Sequence, residues 1–356
     1  MIAGGIIGPL IGWFIDRTGP KNIYLAGIGL LAISYLTYGI AHDWFVTIVA
    51  MVAYWMGYSL SIHSCATICG NSLKNEDRAT AMTICETVAL GLMGMVGPIL
   101  GAWIVTNFGG INIAGIRPIF FFCLIITIST FIFILTQLSN KKWRVNNSTE
   151  PNISHDLYQV FQEGHHLKKW LVITAIAQLP LAMVFPFSQL FAHEIKGATP
   201  FILGAMVTGS SLTSIAFAIP LGRLADRIGR KKILYMTIPL FWISNLLLVW
   251  SPNSFLLIIA GILQGFYHVG GPISSAMERE LVPQEQMGRW LGITRFLRML
   301  LNAFLAFTCG IIWDKIGPQY VFLSFIAIDL AFRLPLLLNM PETLRIQFNR
   351  QNPPGV

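Results

Sequence analysis

The sequence predicts an all-α membrane protein whose chain crosses the bilayer many times. Of its 356 residues only 11% are charged and 54% are hydrophobic, and the mean hydropathy is +0.65, whereas soluble domains carry about 25% charged residues. Ten apolar runs reach the length of about 18 residues that a helix needs to cross the hydrocarbon core. A charged phrase near residue 12 recurs near residue 222, which indicates two related halves.

The apolar runs predict where each helix lies. They cover residues 22–41, 45–70, 80–104, 117–137, 169–192, 200–221, 232–250, 254–276, 288–312 and 319–340. Residues 1–15 are also apolar but too few to cross alone, so we expect ten full spans and one fragment at the start. The N-terminus has neither the basic leader nor the small-residue cleavage site of a secretory signal.

Basic residues predict which side of the membrane each loop occupies. Eighteen of the 24 lysines and arginines fall on one side of the predicted spans, and only Arg117, Lys196 and Lys315 fall on the other. Because cytoplasmic loops collect positive charge, the side with eighteen is predicted to be cytoplasmic, together with the linker and the C-terminus. The net charge of +8 is explained by these loops, so no nucleic-acid partner is expected.

The charged phrase is the clearest sign of a duplication. Residues 12–21 read GWFIDRTGPK and residues 222–232 read GRLADRIGRKK, so Gly, Asp-Arg, Gly and a basic residue recur at an offset of 210. Such repeats are typical of membrane transporters built from two parallel halves. The predicted parts are an N-terminal bundle at 1–137, a polar cytoplasmic linker at 138–168, a C-terminal bundle at 169–340 and a tail at 341–356.

The second copy of the phrase resembles the loop between the second and third helices of each half in the major facilitator superfamily. The first copy is looser, since Pro20 stands where a basic residue is usual. The run GLMGMVGPILG at 91–101 resembles the glycine-proline signature in the fifth helix of drug:proton antiporters. The resemblance covers essentially the whole chain. It implies two six-helix bundles, the first of which lacks its helix one here, giving about 11 helices.

The resemblance also implies a function. It predicts a secondary active transporter in the plasma membrane that works as a monomer and needs no cofactor. The antiporter-like residues Gly94, Gly97, Pro98 and Gly101 favour proton-coupled efflux of a small organic solute, so the expected partners are that solute, protons and the lipid bilayer. Uptake of a sugar or organic acid is one alternative. A truncated chain that no longer transports is another, because helix one often carries coupling residues.

Two other classes of function are not supported by the sequence. It contains no GxxxxGK[ST] phosphate loop, and it has no HExxH or GxSxG motif. Neither nucleotide-driven transport nor an enzyme activity is therefore predicted. Cys65 and Cys69 are four residues apart, but no histidine or acid completes a ligand set, so no metal site is predicted.

The repeated phrase, by the same resemblance, is predicted to form a cytoplasmic latch that closes when the cavity faces outward. Glycine suits a tight turn between helices, and an aspartate is favoured beside the positive N-terminus of a neighbouring helix. The alternative is that the basic residues only anchor the loop in the cytoplasm. The predicted latch residues are Gly12, Asp16, Arg17, Gly19, Gly222, Asp226, Arg227, Gly229 and Arg230.

Charges inside the apolar runs are candidate gate or coupling residues, because a charge within the bilayer is costly. Glu86 is either a proton-carrying carboxylate or a member of a static ion pair. Arg295, Arg298 and Asn302 follow a helical spacing, so they share one face. That face is predicted to form a charged gate or an anion-attracting wall, unless the arginines only reach to the membrane interface.

A second pair of charges, Asp329 and Arg333, lies four residues apart in the last apolar run. The superfamily architecture places that helix at the periphery of its bundle. We therefore expect a local ion pair there that lowers the cost of inserting the helix.

Polar and aromatic side chains complete the candidate set. Pro180 and Pro186 are expected to bend the run at 169–192, because proline lacks a backbone donor. Aromatic residues such as Tyr54 and Tyr58 could stack on an amphipathic ligand, although helix packing explains them equally well. The predicted cavity residues are Tyr54, Tyr58, Gln178, Gln189, Gln264 and Asn302, and His268 is a coupling candidate.

Overall fold

The computed structural model describes residues 18–72, 93–138, 167–281, 287–340 and 342, and this part of the chain is helical throughout apart from short turns. We number the helices in chain order. They are α1 Pro20–Ile40, α2 Trp44–Ser72, α3 Met93–Asn107, α4 Ile113–Gln137, α5 Leu167–Ala177, α6 Leu179–Met183, α7 Phe185–Glu194, α8 Pro200–Ile228, α9 Arg230–Trp250, α10 Ser254–Leu281, α11 Met287–Lys315, α12 Pro318–Ile328, a π-helix at Asp329–Arg333 and α13 Leu334–Leu338.

Within the described residues, nine segments are long and apolar enough to cross a membrane. Two of them are compound, since α5 to α7 form one segment and α12 to α13 form another. The helix α3 is apolar but shorter, and the span predicted at 80–104 extends into residues outside the described ranges. The prediction of an all-α protein with many membrane spans is confirmed.

Apolar side chains cover much of the outer surface of these helices. The segment at α4 has a mean hydropathy of 2.7, yet only 6% of it is buried. Large side chains such as Trp103, Phe304 and Phe307 are exposed as well. Exposed apolar surface on this scale is unfavourable in water and marks a membrane-contacting surface. The outward faces are therefore those that contact lipid.

The chain forms two compact units. The first holds the described residues up to 72 and those from 100 to 138, and the second holds 93–99 and the described residues from 167 onward. In the first unit α1 packs against α2 and α4, and in the second α10 packs against α8 and α9. The linker boundaries at 138 and 168 stay a prediction.

Close packing in the second unit depends on glycine where α10 crosses α8. A Cβ atom added at Gly261 would lie 2.5 Å from the Cα atom of Met206, and one at Gly265 would overlap the carbonyl oxygen of Ser210. Lipid provides no hydrophobic force between helices, so their association depends on such backbone approach. The two glycines therefore set the distance between α8 and α10.

Matching hydrogen bonds recur in the two units. The Ser34 hydroxyl donates to the carbonyl of Ala50 at 2.7 Å, and the Ser244 hydroxyl donates to that of Ala260 at 2.9 Å. Both members of the second pair lie 210 residues beyond those of the first. The same offset separates the two copies of the charged phrase, so the duplication extends from sequence into side-chain contacts.

A basic side chain also binds the carbonyl at the C-terminal end of α1, and another does the same at the end of α9. Arg117 donates to the carbonyl of Ala41 at 2.8 Å, and Lys196 donates to that of Ser251 at 3.1 Å. These acceptors are the C-terminal cap residues of their helices and again lie 210 residues apart. A cation is favoured at a helix C-terminus, where carbonyls lack intrahelical partners.

The predicted bend in the segment from α5 to α7 is present. The helix is interrupted at Gln178 and at Val184, and Pro180 and Pro186 lie in the first turns of the two helices that follow. Proline has no backbone N–H and suits a first helical turn. As a result, the segment turns at Gln178, which is one of the residues that line the cavity described next.

Candidate functional site

A cavity of about 320 Å³ lies within the second unit. Its volume is in the range of small-molecule sites, about 300–1,000 Å³. Aromatic and aliphatic side chains such as Leu234, Phe241 and Phe266 form much of its wall. Its charged and long polar lining residues are Gln178, His268, Glu278, Arg298, Asp329 and Arg333.

The ion pair of Asp329 and Arg333 is present in the π-helix. Arg333 Nη1 lies 3.4 Å from Asp329 Oδ1, and Asp329 is only 1% exposed. The indole Nε1 of Trp242 in α9 donates to Asp329 Oδ2 at 2.7 Å. Both members of the pair line the cavity. The expected local ion pair is therefore present, and it lies in the cavity wall with a further polar partner from α9.

A second ion pair joins α10 to α11. Arg298 Nη2 donates to Glu278 Oε1 at 3.1 Å, and the Trp290 indole donates to the same oxygen at 2.6 Å. Arg298 was predicted from the sequence as a gate residue, and it does line the cavity. Glu278 was not predicted. The sequence shows it only as one of two carboxylates, Glu278 and Glu280, that flank Arg279 at the end of a long apolar run.

The interruption at Gln178 also supplies a backbone acceptor to the cavity wall. Leu181 N donates to the carbonyl of Gln178 at 3.0 Å, which leaves the Ala177 carbonyl without its helical donor. The hydroxyl of Tyr267 donates a hydrogen bond to the Ala177 carbonyl instead, at 3.1 Å. His268, next to Tyr267, stacks on Phe185 with ring centroids 5.2 Å apart. The predicted coupling residue His268 therefore lies in the cavity with aromatic neighbours.

The other predicted cavity residues of the second unit lie elsewhere. Gln189, Gln264 and Asn302 are not among the described lining residues. Gln264 and Asn302 are nevertheless buried, and Gln264 Nε2 and Asn302 Oδ1 find no hydrogen-bond partner among the described residues. They are polar groups inside the bundle rather than part of this cavity.

The two predicted tyrosines belong to the first unit. Tyr54 and Tyr58 stack on each other with ring centroids 6.2 Å apart and an interplanar angle of 13°. Tyr35 and Trp55 make edge contacts with Tyr54. The four rings form an aromatic cluster on α1 and α2.

Several predicted residues cannot be placed. Gly12, Asp16, Arg17 and Glu86 lie outside the described residues, and so does the side chain of Arg295. In the part of the chain that the structure describes, no three His, Cys, Asp or Glu side chains cluster closely enough to hold a metal ion.

The second copy of the charged phrase forms the turn between α8 and α9. Gly229 has a φ angle of +111° and separates the two helices. Arg230 Nη2 lies 3.4 Å from Asp226 Oδ1, the side chain of Asp226 is 66% exposed, and Arg227 is exposed as well. Gly222 lies within α8 with no atom near its missing Cβ, so the expectation that it needs a special backbone conformation does not hold.

The same turn binds the end of the last helix. Glu342 Oε1 accepts a hydrogen bond from Arg230 N, the first amide of α9, at 3.0 Å. Lys231 Nζ donates to the carbonyl oxygens of Leu338 and Met340 at 2.8 and 2.6 Å. An anion at a helix N-terminus and a cation at a helix C-terminus are both favourable.

The first copy makes the equivalent contact. Gly19 has a φ angle of +87° at the start of α1, and Lys21 Nζ donates to the carbonyl oxygens of Leu135 and Leu138 at the end of α4. Lys21 and Lys231 lie 210 residues apart. In each unit the lysine of the phrase thus binds the C-terminal carbonyls of the unit's last helix. The sequence shows a basic residue at this position in both copies of the phrase, but it does not predict the contact with the helix-end carbonyls.

The antiporter-like residues lie on α3. A Cβ atom at Gly94 would lie 2.8 Å from the Ser211 hydroxyl, whereas Gly97 has no atom within 4 Å and Gly101 makes only an ordinary contact. Pro98 lies between the latter two in the same helix. Of the three glycines in this run, Gly94 is therefore the one at a close approach to the described residues.

A family model and known proteins match this chain, which spans less than two thirds of the length of the two relatives named here. The family model described as Major Facilitator Superfamily matches residues 1–177 and again residues 170–348. The multidrug resistance protein MdtG of Dickeya zeae is 26% identical over 251 residues, which cover 68% of this chain and 58% of that protein. An uncharacterised transporter of Buchnera aphidicola is 32% identical over 114 residues, which cover 32% of this chain and 29% of that protein.

A solved structure shares the fold. The crystal structure of the nucleoside transporter NupG matches with a TM-score of 0.75 and 15% identity, covering 95% of this chain and 89% of that one. The two matches to the family model, one in each half, agree with the duplicated phrase and the repeated hydrogen bonds. This chain belongs to the Major Facilitator Superfamily.

Proposed function

We propose that this chain is a secondary active transporter that moves a small organic solute by alternating access and couples efflux to the inward flow of protons. The observation that carries the proposal is the cavity in the second unit with its two arginine–carboxylate pairs. Ionisable groups inside a membrane segment are costly and mark solute or proton pathways. The family fold supplies the two-bundle framework that alternating access requires.

The two pairs support coupling to protons. A carboxylate that accepts a proton loses its charge and with it most of its attraction to a neighbouring arginine. Protonation of Glu278 or Asp329 would therefore release Arg298 or Arg333 from its partner. That release gives a physical link between proton binding and the state of the cavity. Glu86, in the first half, remains a further candidate carrier.

Efflux and an amphipathic solute are supported by separate observations. The glycine-proline run on α3 resembles that of drug:proton antiporters, and one relative is named a multidrug resistance protein. The aromatic wall at Phe241, Phe266 and Tyr267 suits the apolar part of a solute.

The charged phrase is proposed to act as the cytoplasmic latch. The pair of Asp226 and Arg230 is partly exposed, and an exposed ion pair contributes about 0.2–1 kcal/mol. So weak a contact suits a latch that must open in every cycle. Lys21 and Lys231 would meanwhile hold each loop to its own bundle.

The proposal is tested by flux into vesicles that contain the purified full chain. A panel of radiolabelled aromatic solutes, neutral, anionic and cationic, is added with an acidic lumen, an acidic bath or no gradient. Antiport predicts accumulation when the lumen is acidic, because protons leave as the solute enters. A proton ionophore should abolish that accumulation, and vesicles without protein provide the blank.

The competing functions give different outcomes in the same assay. Accumulation driven by an acidic bath would indicate symport, as expected for nutrient uptake, and would contradict efflux. No flux of any solute, with or without a gradient, would indicate a chain that does not transport.

A further inference from the structure

We infer that the cavity binds its solute through an anionic group, a carboxylate or a similar planar oxyanion, held by Arg298 and Arg333. The inference rests on the proposed transport function and names the chemical class of the solute. The supporting observation is an imbalance of hydrogen-bonding capacity in the cavity: the carboxylates are engaged, and the guanidinium groups retain donors without partners.

Each carboxylate already accepts two hydrogen bonds, which use both oxygens of Asp329 and the single oxygen Oε1 of Glu278. Asp329 accepts from the Trp242 indole through one oxygen and faces Arg333 with the other. Glu278 accepts from the Trp290 indole and from Arg298. Asp329 and Glu278 are 1% and 6% exposed, so little of either is accessible to a cationic ligand.

The two arginines, in contrast, still have hydrogen-bond donors that no described residue uses. Every nitrogen of a guanidinium group is a donor, and the group has no acceptor. The Nε atoms of Arg298 and Arg333 are buried and find no hydrogen-bond partner among the described residues. Each arginine uses one Nη atom for its carboxylate, so Arg298 Nη1 and Arg333 Nη2 are the donors left for a ligand in the cavity that both residues line. An unfilled buried donor is unfavourable, and a planar oxyanion fits the guanidinium fork with two parallel hydrogen bonds.

The remaining wall is suited to the rest of such a solute. The hydroxyl of Tyr267 already donates to the Ala177 carbonyl, so Tyr267 can contact a solute mainly through its aromatic ring. Phe241 and Phe266 add further apolar surface. The expected solute therefore carries one oxyanion on a compact apolar body.

The test compares three probes that share one ring and differ in charge. Benzoate, benzamide and benzylammonium are added at millimolar concentration to the purified full chain, and the shift in thermal unfolding temperature is measured. A ligand that binds the folded state stabilises it by mass action. We expect benzoate to raise the unfolding temperature, with no shift from the other two probes.

Variants identify the arginines as the binding groups. Asp329→Asn removes the internal competitor for Arg333, so it should tighten benzoate binding about tenfold. The double variant Asp329→Asn with Arg333→Gln removes both charges without leaving one buried alone, and it should lose that gain. Arg223→Gln, on the exposed part of α8, is the control and should bind benzoate as the unmodified chain does.

The outcomes separate this inference from the transport proposal. Stabilisation by benzylammonium, equal shifts with all three probes, a shift with none, or weaker benzoate binding in Asp329→Asn would each overturn the anionic class. None of those results affects the vesicle assay, where proton-driven flux of a cationic or neutral solute would leave the proposed function standing.

Discussion

Gly229 joins α8 to α9 with a φ angle of +111°, a region that residues with a side chain rarely adopt. A Cβ atom there would also lie 2.7 Å from Glu342 Oε2. We expect Gly229→Ala to lower the free energy of unfolding by about 1–3 kcal/mol. The measurement is the unfolding midpoint of the purified protein in detergent.

Gly222 provides the matched control, since it belongs to the same phrase but lies inside a helix with open space at its Cβ position. Alanine is favoured over glycine in a helix by about 1 kcal/mol, so Gly222→Ala should keep or raise the midpoint. Equal losses at both positions would show that the positive φ angle is not what makes Gly229 necessary.

A site residue could be predicted from the sequence when its polar side chain interrupts an apolar run. Arg298 and His268 stand out as polar groups inside apolar runs, and both line the cavity. The partners of the charges were not predictable. Trp242 lies 87 residues from Asp329, and no spacing rule connects two residues on different helices.

At the scale of helices, the repeated lysine has a defined role. Lys231→Met would remove two hydrogen bonds to carbonyls at the end of the last helix. A cation at a helix C-terminus contributes about 0.3–1 kcal/mol, so the midpoint of unfolding should fall by that amount. Lys21→Met should have a similar effect through the end of α4.

Lys232 is the control for this pair, because it is adjacent to Lys231 but exposed. Lys232→Met should leave the unfolding midpoint within experimental error. If it lowers the midpoint as much as Lys231→Met does, the effect comes from net charge and not from the bound carbonyls.

Helix positions followed closely from hydropathy, because the length of an apolar run is fixed by the bilayer. The run at 232–250 corresponds to α9 at Arg230–Trp250, and the prolines marked the bend in the segment from α5 to α7. The π-helix was not predictable from the apolar pattern. Its extra residue leaves hydropathy unchanged.

For the molecule as a whole, the proposed coupling makes Asp329 the residue to change. Asp329→Asn cannot exchange a proton, so accumulation driven by an acidic lumen should be lost, while exchange of labelled for unlabelled solute across the membrane should continue. Measuring both fluxes in the same vesicles separates coupling from binding.

Asp314→Asn is the control for that variant, since Asp314 is exposed and lies outside the cavity lining. It should retain both fluxes. Loss of exchange together with accumulation in Asp329→Asn would assign this carboxylate to folding or solute binding and not to coupling.

The π-helix has a consequence for how the end of the chain is aligned. Leu334 N bonds to the carbonyl of Asp329, five residues earlier, where an α-helix would use four. The residues after Arg333 are therefore rotated about the helix axis by about 100°, the angle of one residue, relative to their positions in an unbroken α-helix of the same sequence. Deleting Leu330, which is exposed, would remove the additional residue, so regular winding would return with Leu337 still against the core and with the carbonyls that Lys231 binds facing the same direction.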